Sequence, residues 1–226
     1  LVHHCSKVCN FADRQKALRC DVMLPAEDGQ AQQALSQDNP DAPYHVRKGI
    51  DLQGTCAVCD GDTVVIKIVD IRTGEFCGNQ FIQPDFTKKF TPQLQRDGAG
   101  AYIGPETDVL YATEGWADAV IVHRATGKQA LFALDADNIP KNVAILRDIG
   151  RNVIVAADND AKGIAAAKAS GAPYVIPQGL KDWWDVFDNG GLEAVADQLQ
   201  NTSIIPRMQL FDHVLDINLE PPRWLI

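Results

Sequence analysis

The stretch RNVIVAADNDAKG, residues 151–163, decides the fold. Its apolar run from Val153 to Ala157 has the length and composition of a buried strand, and it ends on Asp158-Asn159-Asp160, two carboxylates a single residue apart. Repulsion makes such a pair costly unless a cation lies between them or water surrounds them. The residues that follow, AKGIAAAKASG, have helical composition and a glycine stop at Gly171. A buried strand feeding straight into a helix is the repeating unit of a parallel α/β sheet.

The same alternation extends outward. DVLYATE (108–114) reads as a strand and WADAVIVHRATG (116–127) as a helix stopped by Gly127. ALFALD (130–135) is a strand, and IPKNVAILRDIG (139–150) is a helix with Pro140 early and Gly150 at its end. PYVIP (173–177) is a strand, and GLEAVADQLQ (191–200) is a final helix. Four strands with helical crossovers predict a parallel sheet covered by helices on both faces. Upstream, TVVIKIVD (63–70) alternates, IRTGEF (71–76) supplies a turn, and CGNQFIQ (77–83) returns, which predicts antiparallel β structure. GAGAYIG (98–104) reads as a flexible joint between the two halves. The expected organisation is an N-terminal helical and loop segment (1–43), an α+β subdomain (44–107), a catalytic α/β domain (108–200) and a linker (201–226).

Composition narrows the function classes. At 226 residues and 46% hydrophobic, the chain can bury a sizeable core, and its apolar runs are far short of a membrane span. It begins at Leu1 and ends in PPRWLI without a secretory pattern, so we expect a piece of a longer protein. Six cysteines then suggest free thiols in a reducing, cytoplasmic setting. A net charge of −9 argues against a broad basic surface for nucleic acid, although Lys88, Lys89, Arg96, Lys162 and Lys181 could gather locally.

Ligands of parallel α/β sheets bind beyond the carboxyl ends of the strands. Glu114 closes one strand, Asp158 and Asp160 close another, and Asp182 and Asp185 follow a third in PQGLKDWWD, where a loop is expected. Hard carboxylate oxygens gathered at one sheet edge suit Mg²⁺ or Mn²⁺. Each acid alone is more readily explained as a helix cap, and Asp160 stands where an N-cap belongs. Their co-location favours a metal site.

Other motifs fall away. DNDAKG imitates a calcium loop, but Lys162 and Ala169 occupy positions that require oxygen ligands. No G-x-x-x-x-G-K-[ST] occurs, and GAGAYIG has the wrong glycine spacing for a dinucleotide loop. Cys56-Ala-Val-Cys59 has zinc-ligand spacing, with His3, His4, Cys5, Cys9 and Cys20 as further donors. Because only that one pair is well spaced, Zn²⁺ is less favoured than two small apolar residues entering a hairpin.

Taken together, LYATEGWADAVIVHRATG, ALDADNI, VIVAADNDAKGIAAA and KDWWD resemble a TOPRIM domain of the type found in plasmid- and phage-encoded DNA primases and primase–helicase fusions. PYHVRKGI and GNQFIQPDFTKKF resemble the segment preceding that domain, so the likeness covers about residues 43–191. The resemblance implies metal-dependent synthesis of short RNA primers on single-stranded DNA from nucleoside triphosphates. It implies Glu114 as general acid/base or metal holder, Asp158 and Asp160 as ligands of a two-metal Mg²⁺ or Mn²⁺ site, and Asp182 or Asp185 completing the shell. Lys88 or Lys89 would contact phosphate or template, with Lys162 and Lys181 as further contacts and Asn138 near substrate phosphate. Trp184 stands where the family usually has Asn, and no clear zinc ribbon precedes the core. LEPPRWLI (219–226) resembles the approach to a fused replicative helicase. A phosphodiester hydrolase on the same acids and a non-catalytic DNA-binding or helicase-loading module are the competing readings.

Overall fold

The computed structural model describes residue 39, residues 41–52 and residues 54–201. Expectations placed on residues 1–38 and 202–226, including His3, His4, Cys5, Cys9, Cys20 and the approach to a helicase, lie outside the described residues. Helix α1 is Pro43–Lys48. Strands β1 Ala57–Asp60, β2 Thr63–Asp70, β3 Phe76–Ile82, β4 Lys88–Phe90 and β5 Ala99–Ile103 follow. Then come β6 Val109–Thr113, α2 Trp116–Thr126, β7 Gln129–Phe132, α3 Ile139–Asp148, β8 Asn152–Ala156, α4 Ala161–Ser170, β9 Tyr174–Val175 and α5 Trp183–Asn201.

The antiparallel and parallel halves form one sheet, in the order β4-β3-β2-β5-β7-β6-β8-β9, with β1 paired to β2. Strand β5 joins them, running antiparallel to both β2 and β7. The stretch expected to be a flexible joint is therefore a buried strand. Its glycines serve close approach: a Cβ on Gly100 would lie 2.8 Å from the carbonyl oxygen of Phe132. Because that atom is backbone, we expect Gly100→Ala to cost about 1–3 kcal/mol in a denaturant melt.

Side chains alternate across the parallel strands and feed two cores. Leu110, Ala112, Leu131, Ala133, Val153 and Val155 face Ile139, Val143 and Leu146 of α3 and Ala166 and Ala167 of α4. On the opposite face, Tyr111, Ala130 and Phe132 meet Trp116, Val120 and Ile121 of α2 and Trp183, Val186, Val195 and Leu199 of α5. Both sheet faces are covered, as the strand–helix alternation predicts. Among the described residues, no helix is long and apolar enough to cross a membrane.

Helix α5 departs from expectation. It starts at Trp183, because the Asp182 carboxylate accepts the Asp185 N–H at 2.8 Å and caps the helix. Asp185 thus lies in the first helical turn and not in a loop. The segment read as the final helix is only the second half of α5, past a kink at Gly191 (φ 71°, ψ −172°).

Candidate active site

Strands β6 and β8 are parallel neighbours, with Ala112 opposite Val155. Their chains leave the sheet side by side, so Glu114 after β6 and Asp158 after β8 emerge at the same edge. Asp182 joins them from the approach to α5, and all three line one cleft of about 570 Å³. Lys48, Lys88 and Lys181 line it as well, together with Gln80, Phe86 and Trp184.

Asp158 is half-buried on the cleft lining. Its Oδ1 is buried without a hydrogen-bond partner. Burial, followed by the charges of Asp118, Glu114, Asp182 and Asp160, pushes its carboxyl up to about 8. Burial also raises Glu114. An unpaired carboxylate oxygen facing further carboxylates fits a divalent cation with hard-oxygen preference. Among the described residues, no three His, Cys, Asp or Glu side chains converge closely enough to hold an ion by themselves. That arrangement fits Mg²⁺ arriving with phosphates, which is commonly held by one or two carboxylates and keeps several waters.

The structure divides the acids expected from sequence. Glu114, Asp158 and Asp182 line the cleft, whereas Asp160 and Asp185 are not among its lining residues. Asp160 instead caps α4, accepting the Gly163 N–H at 2.8 Å, although its charge still reaches Asp158 and Glu114. The basic residues divide too. In the β3–β4 pair Lys88 lies opposite Ile82 and Lys89 opposite Phe81, so the two lysines point to opposite faces. Lys88 enters the cleft, and Lys89 lines an outer groove with Pro92, Gln93 and Arg96. Lys181 is in the cleft, and Lys162 is paired with Asp137 at 3.2 Å. Asn138 does not sit where a substrate phosphate could reach it. It is 2% exposed, and its amide donates to the carbonyls of Ala99 (3.0 Å) and Ala133 (2.9 Å), tying β5 to the turn after β7. Cys56 donates its thiol to the Tyr102 carbonyl at 3.0 Å, and Cys59 is buried on β1.

Sequence reading missed Asp118, Lys48 and Arg47. Asp118 lies one helical turn beyond Glu114, is 7% exposed, and accepts the Trp184 N–H at 2.9 Å. Burial, then the Asp182 charge, pushes its carboxyl up to about 6. A Cβ at Gly115 would lie 2.3 Å from its Oδ2, which explains the glycine after Glu114. Lys48 Nζ sits 3.6 Å from the centroid of the Trp184 ring and Arg47 stacks at 5.2 Å, while Trp184 Nε1 donates to the Lys48 carbonyl at 3.0 Å. Trp184 therefore anchors α1 to the start of α5. The signal for these residues was present: a Glu-Gly-x-x-Asp spacing puts Asp118 on the Glu114 side of α2, and Arg47-Lys48 closes the short α1. We expect Asp118→Ala to destabilise by about 1–3 kcal/mol, because it leaves the Trp184 N–H buried and unpaired. Asp118→Asn keeps the acceptor and removes a buried charge, so it should melt close to the parent at acid pH and at or above it once pH exceeds about 6.

No family model matches the chain. It is similar to a chain from the structure of bacteriophage T7 lagging-strand DNA polymerase interacting with primase domains of two gp4 subunits bound to an RNA/DNA hybrid and dTTP. That match has 18% identity and a TM-score of 0.52, covering 69% of this chain and 89% of that one. It is also similar to the DnaG primase catalytic domain bound to single-stranded DNA, at 15% identity and a TM-score of 0.53, covering 85% of this chain and 80% of that one. The mixed sheet flanked by helices is the fold of primase catalytic cores.

Proposed function

We propose that this chain is the TOPRIM-type catalytic core of a DNA primase. It makes short RNA primers on single-stranded DNA, with Mg²⁺ or Mn²⁺, for a plasmid, phage or related replicon served by a replicative helicase. The observation that carries the reading is the cleft itself: the unpaired Asp158 carboxylate beside Glu114 and Asp182, faced by Lys48, Lys88 and Lys181. A triphosphate needs cations along its oxygens, and the attacking hydroxyl needs a proton acceptor; this cleft offers both. The similar proteins strengthen the reading, since their structures hold single-stranded DNA in one case and an RNA/DNA hybrid with dTTP in the other.

In the proposed reaction the 3′-hydroxyl oxygen forms a bond to an α-phosphorus while the bond to pyrophosphate breaks. Glu114 takes the hydroxyl proton, a role suited to a carboxylate whose proton affinity burial has raised. Asp158 and Asp182 would hold the divalent ion, which neutralises charge developing on the phosphoryl oxygens when bound. Lys88 and Lys181 bind and orient the phosphates.

The test is templated incorporation of labelled ribonucleotides on single-stranded DNA with Mg²⁺ or Mn²⁺. Extension that requires template, ribonucleotides and metal supports the primase reading. Cutting of DNA without nucleoside triphosphates would replace it with a hydrolase. Binding of DNA with neither activity would replace it with a loading module.

A further inference from the structure

We propose that the β3–β4 hairpin forms the nucleoside-reading wall of the cleft, with Phe86 stacking on the base and Gln80 accepting a hydrogen bond from a ribose hydroxyl. This deepens the primase reading and rests on it for the identity of the ligand as a nucleotide. The first observation is Phe86. It is 46% exposed at the cleft and held at φ 68°, a left-handed backbone conformation that bulky residues rarely adopt. Such outliers persist where surrounding structure over-determines them, and they cluster at ligand sites. The surroundings here are specific. The Phe86 N–H donates to the Gln83 carbonyl at 2.8 Å, the Gln83 N–H donates to Thr87 O at 2.9 Å, and the Asp85 carboxylate accepts the Thr87 N–H at 2.9 Å. The ring of Tyr44, which also lines the cleft, lies 5.9 Å from that of Phe86 at a tilt of 58°. The turn thus holds a half-exposed apolar ring on the lining of a charged cleft.

The second observation is Gln80, on the same hairpin. It is 3% exposed and lines the cleft, and its Oε1 is buried without a partner. An unpaired buried acceptor is destabilising unless a ligand donor completes it. Cross-strand register places Gln80, Ile82 and Lys88 on one face of the hairpin. Base platform, hydroxyl acceptor and phosphate cation therefore come from one short segment. A ribose hydroxyl is the donor shared by every ribonucleotide, as a site copying an arbitrary template requires. The cleft volume, about 570 Å³, lies in the range of small-molecule sites.

The experiment measures equilibrium binding with Mg²⁺ for three probes: ATP, 2′,3′-dideoxyadenosine triphosphate and tripolyphosphate. The parent should bind ATP more tightly than tripolyphosphate. Phe86→Ala should lose about tenfold or more in ATP affinity and leave tripolyphosphate unchanged, with Phe86→Trp restoring binding. Phe86→Gly, which relieves the left-handed backbone, should show the same loss without a lower melting temperature. Gln80→Leu should weaken ATP severalfold and leave the dideoxy analogue unchanged. A parallel titration with a single-stranded DNA and its abasic counterpart locates the base: a Phe86 effect confined to the DNA assigns the ring to a template base. Parent-like ATP and DNA binding by Phe86→Ala overturns the stacking role, and equal losses for ATP and the dideoxy analogue in Gln80→Leu overturn the hydroxyl contact. If both effects appear but no primer is made, the wall stands and the primase reading falls. If both variants make primer with parent KM values, the reverse holds.

Discussion

Asp158→Asn should lower templated ribonucleotide incorporation by about 10³-fold while making the metal-free protein more stable. The two effects share one cause. In the parent, the Asp158 carboxyl is pushed from an ordinary 3.8 to about 8 by burial and by four neighbouring carboxylates. A folded-state value above the unfolded one means that the native state binds the extra proton. The associated stability is present below about pH 4 and is lost as pH rises towards 8. Asp118, raised to about 6, acts in the same direction over the lower part of that window. Thermal melts without divalent ions should therefore show the parent weakening between pH 4 and pH 8. The asparagine variant should weaken less, and exceed the parent at the upper end by about 1–3 kcal/mol. Added Mg²⁺ should stabilise the parent at pH 8 through preferential binding to the native state, and should do little for the variant. A variant that loses activity while destabilised at every pH would point to a structural role instead.

Glu114→Gln should reduce the rate of primer synthesis by about 10²–10⁴-fold with little change in melting temperature. Glu114 follows β6 and is half-buried. Glutamine keeps its size and removes only the ability to take a proton and the charge. Burial raises the Glu114 carboxyl, so the parent should lose activity as pH falls towards that raised value. The variant should lack the part of this acidic limb that Glu114 contributes and keep the part set by ionisation of Asp158. If the loss appears only in KM for nucleotides, Glu114 binds and does not take the proton.

Much of this architecture was legible in the sequence because buried parallel strands leave a simple record. Val153–Ala157 has no polar interruption, and Gly127 and Gly171 mark helix ends with left-handed φ values of 67° and 62°. The junction was harder to read. A strand made of Ala99, Gly100 and Ala101 carries little side-chain signal, since its small residues answer to the Phe132 backbone and not to a sequence period. At the site, strand ends were readable but cap chemistry was not. Asp158 and Asp160 look equivalent in sequence, yet one turn of backbone sends Asp160 onto the Gly163 N–H and Asp158 into the cleft. The same ambiguity hid the role of Asp182 as the cap of α5, which starts at Trp183. Period-two alternation separates Lys88 from Lys89, but only once the register with Ile82 and Phe81 is known. Asn138 was expected near substrate phosphate from the family resemblance alone, and only the fold shows that it is buried with its amide NH2 donating to two carbonyls. Local spacing marks Asp118 and Arg47-Lys48 individually, but the contact of Lys48 with Trp184 spans 136 positions of chain, a proximity that no local pattern carries.

The most direct measurement is the anomalous difference map of a crystal soaked in Mn²⁺. A metal held by Asp158 should give a peak in the cleft within about 2.0–2.2 Å of an Asp158 carboxylate oxygen, on the side shared with Glu114 and Asp182, and the peak should vanish in Asp158→Asn. A map with no peak beside Asp158, or with manganese bound only elsewhere on the molecule, would contradict it.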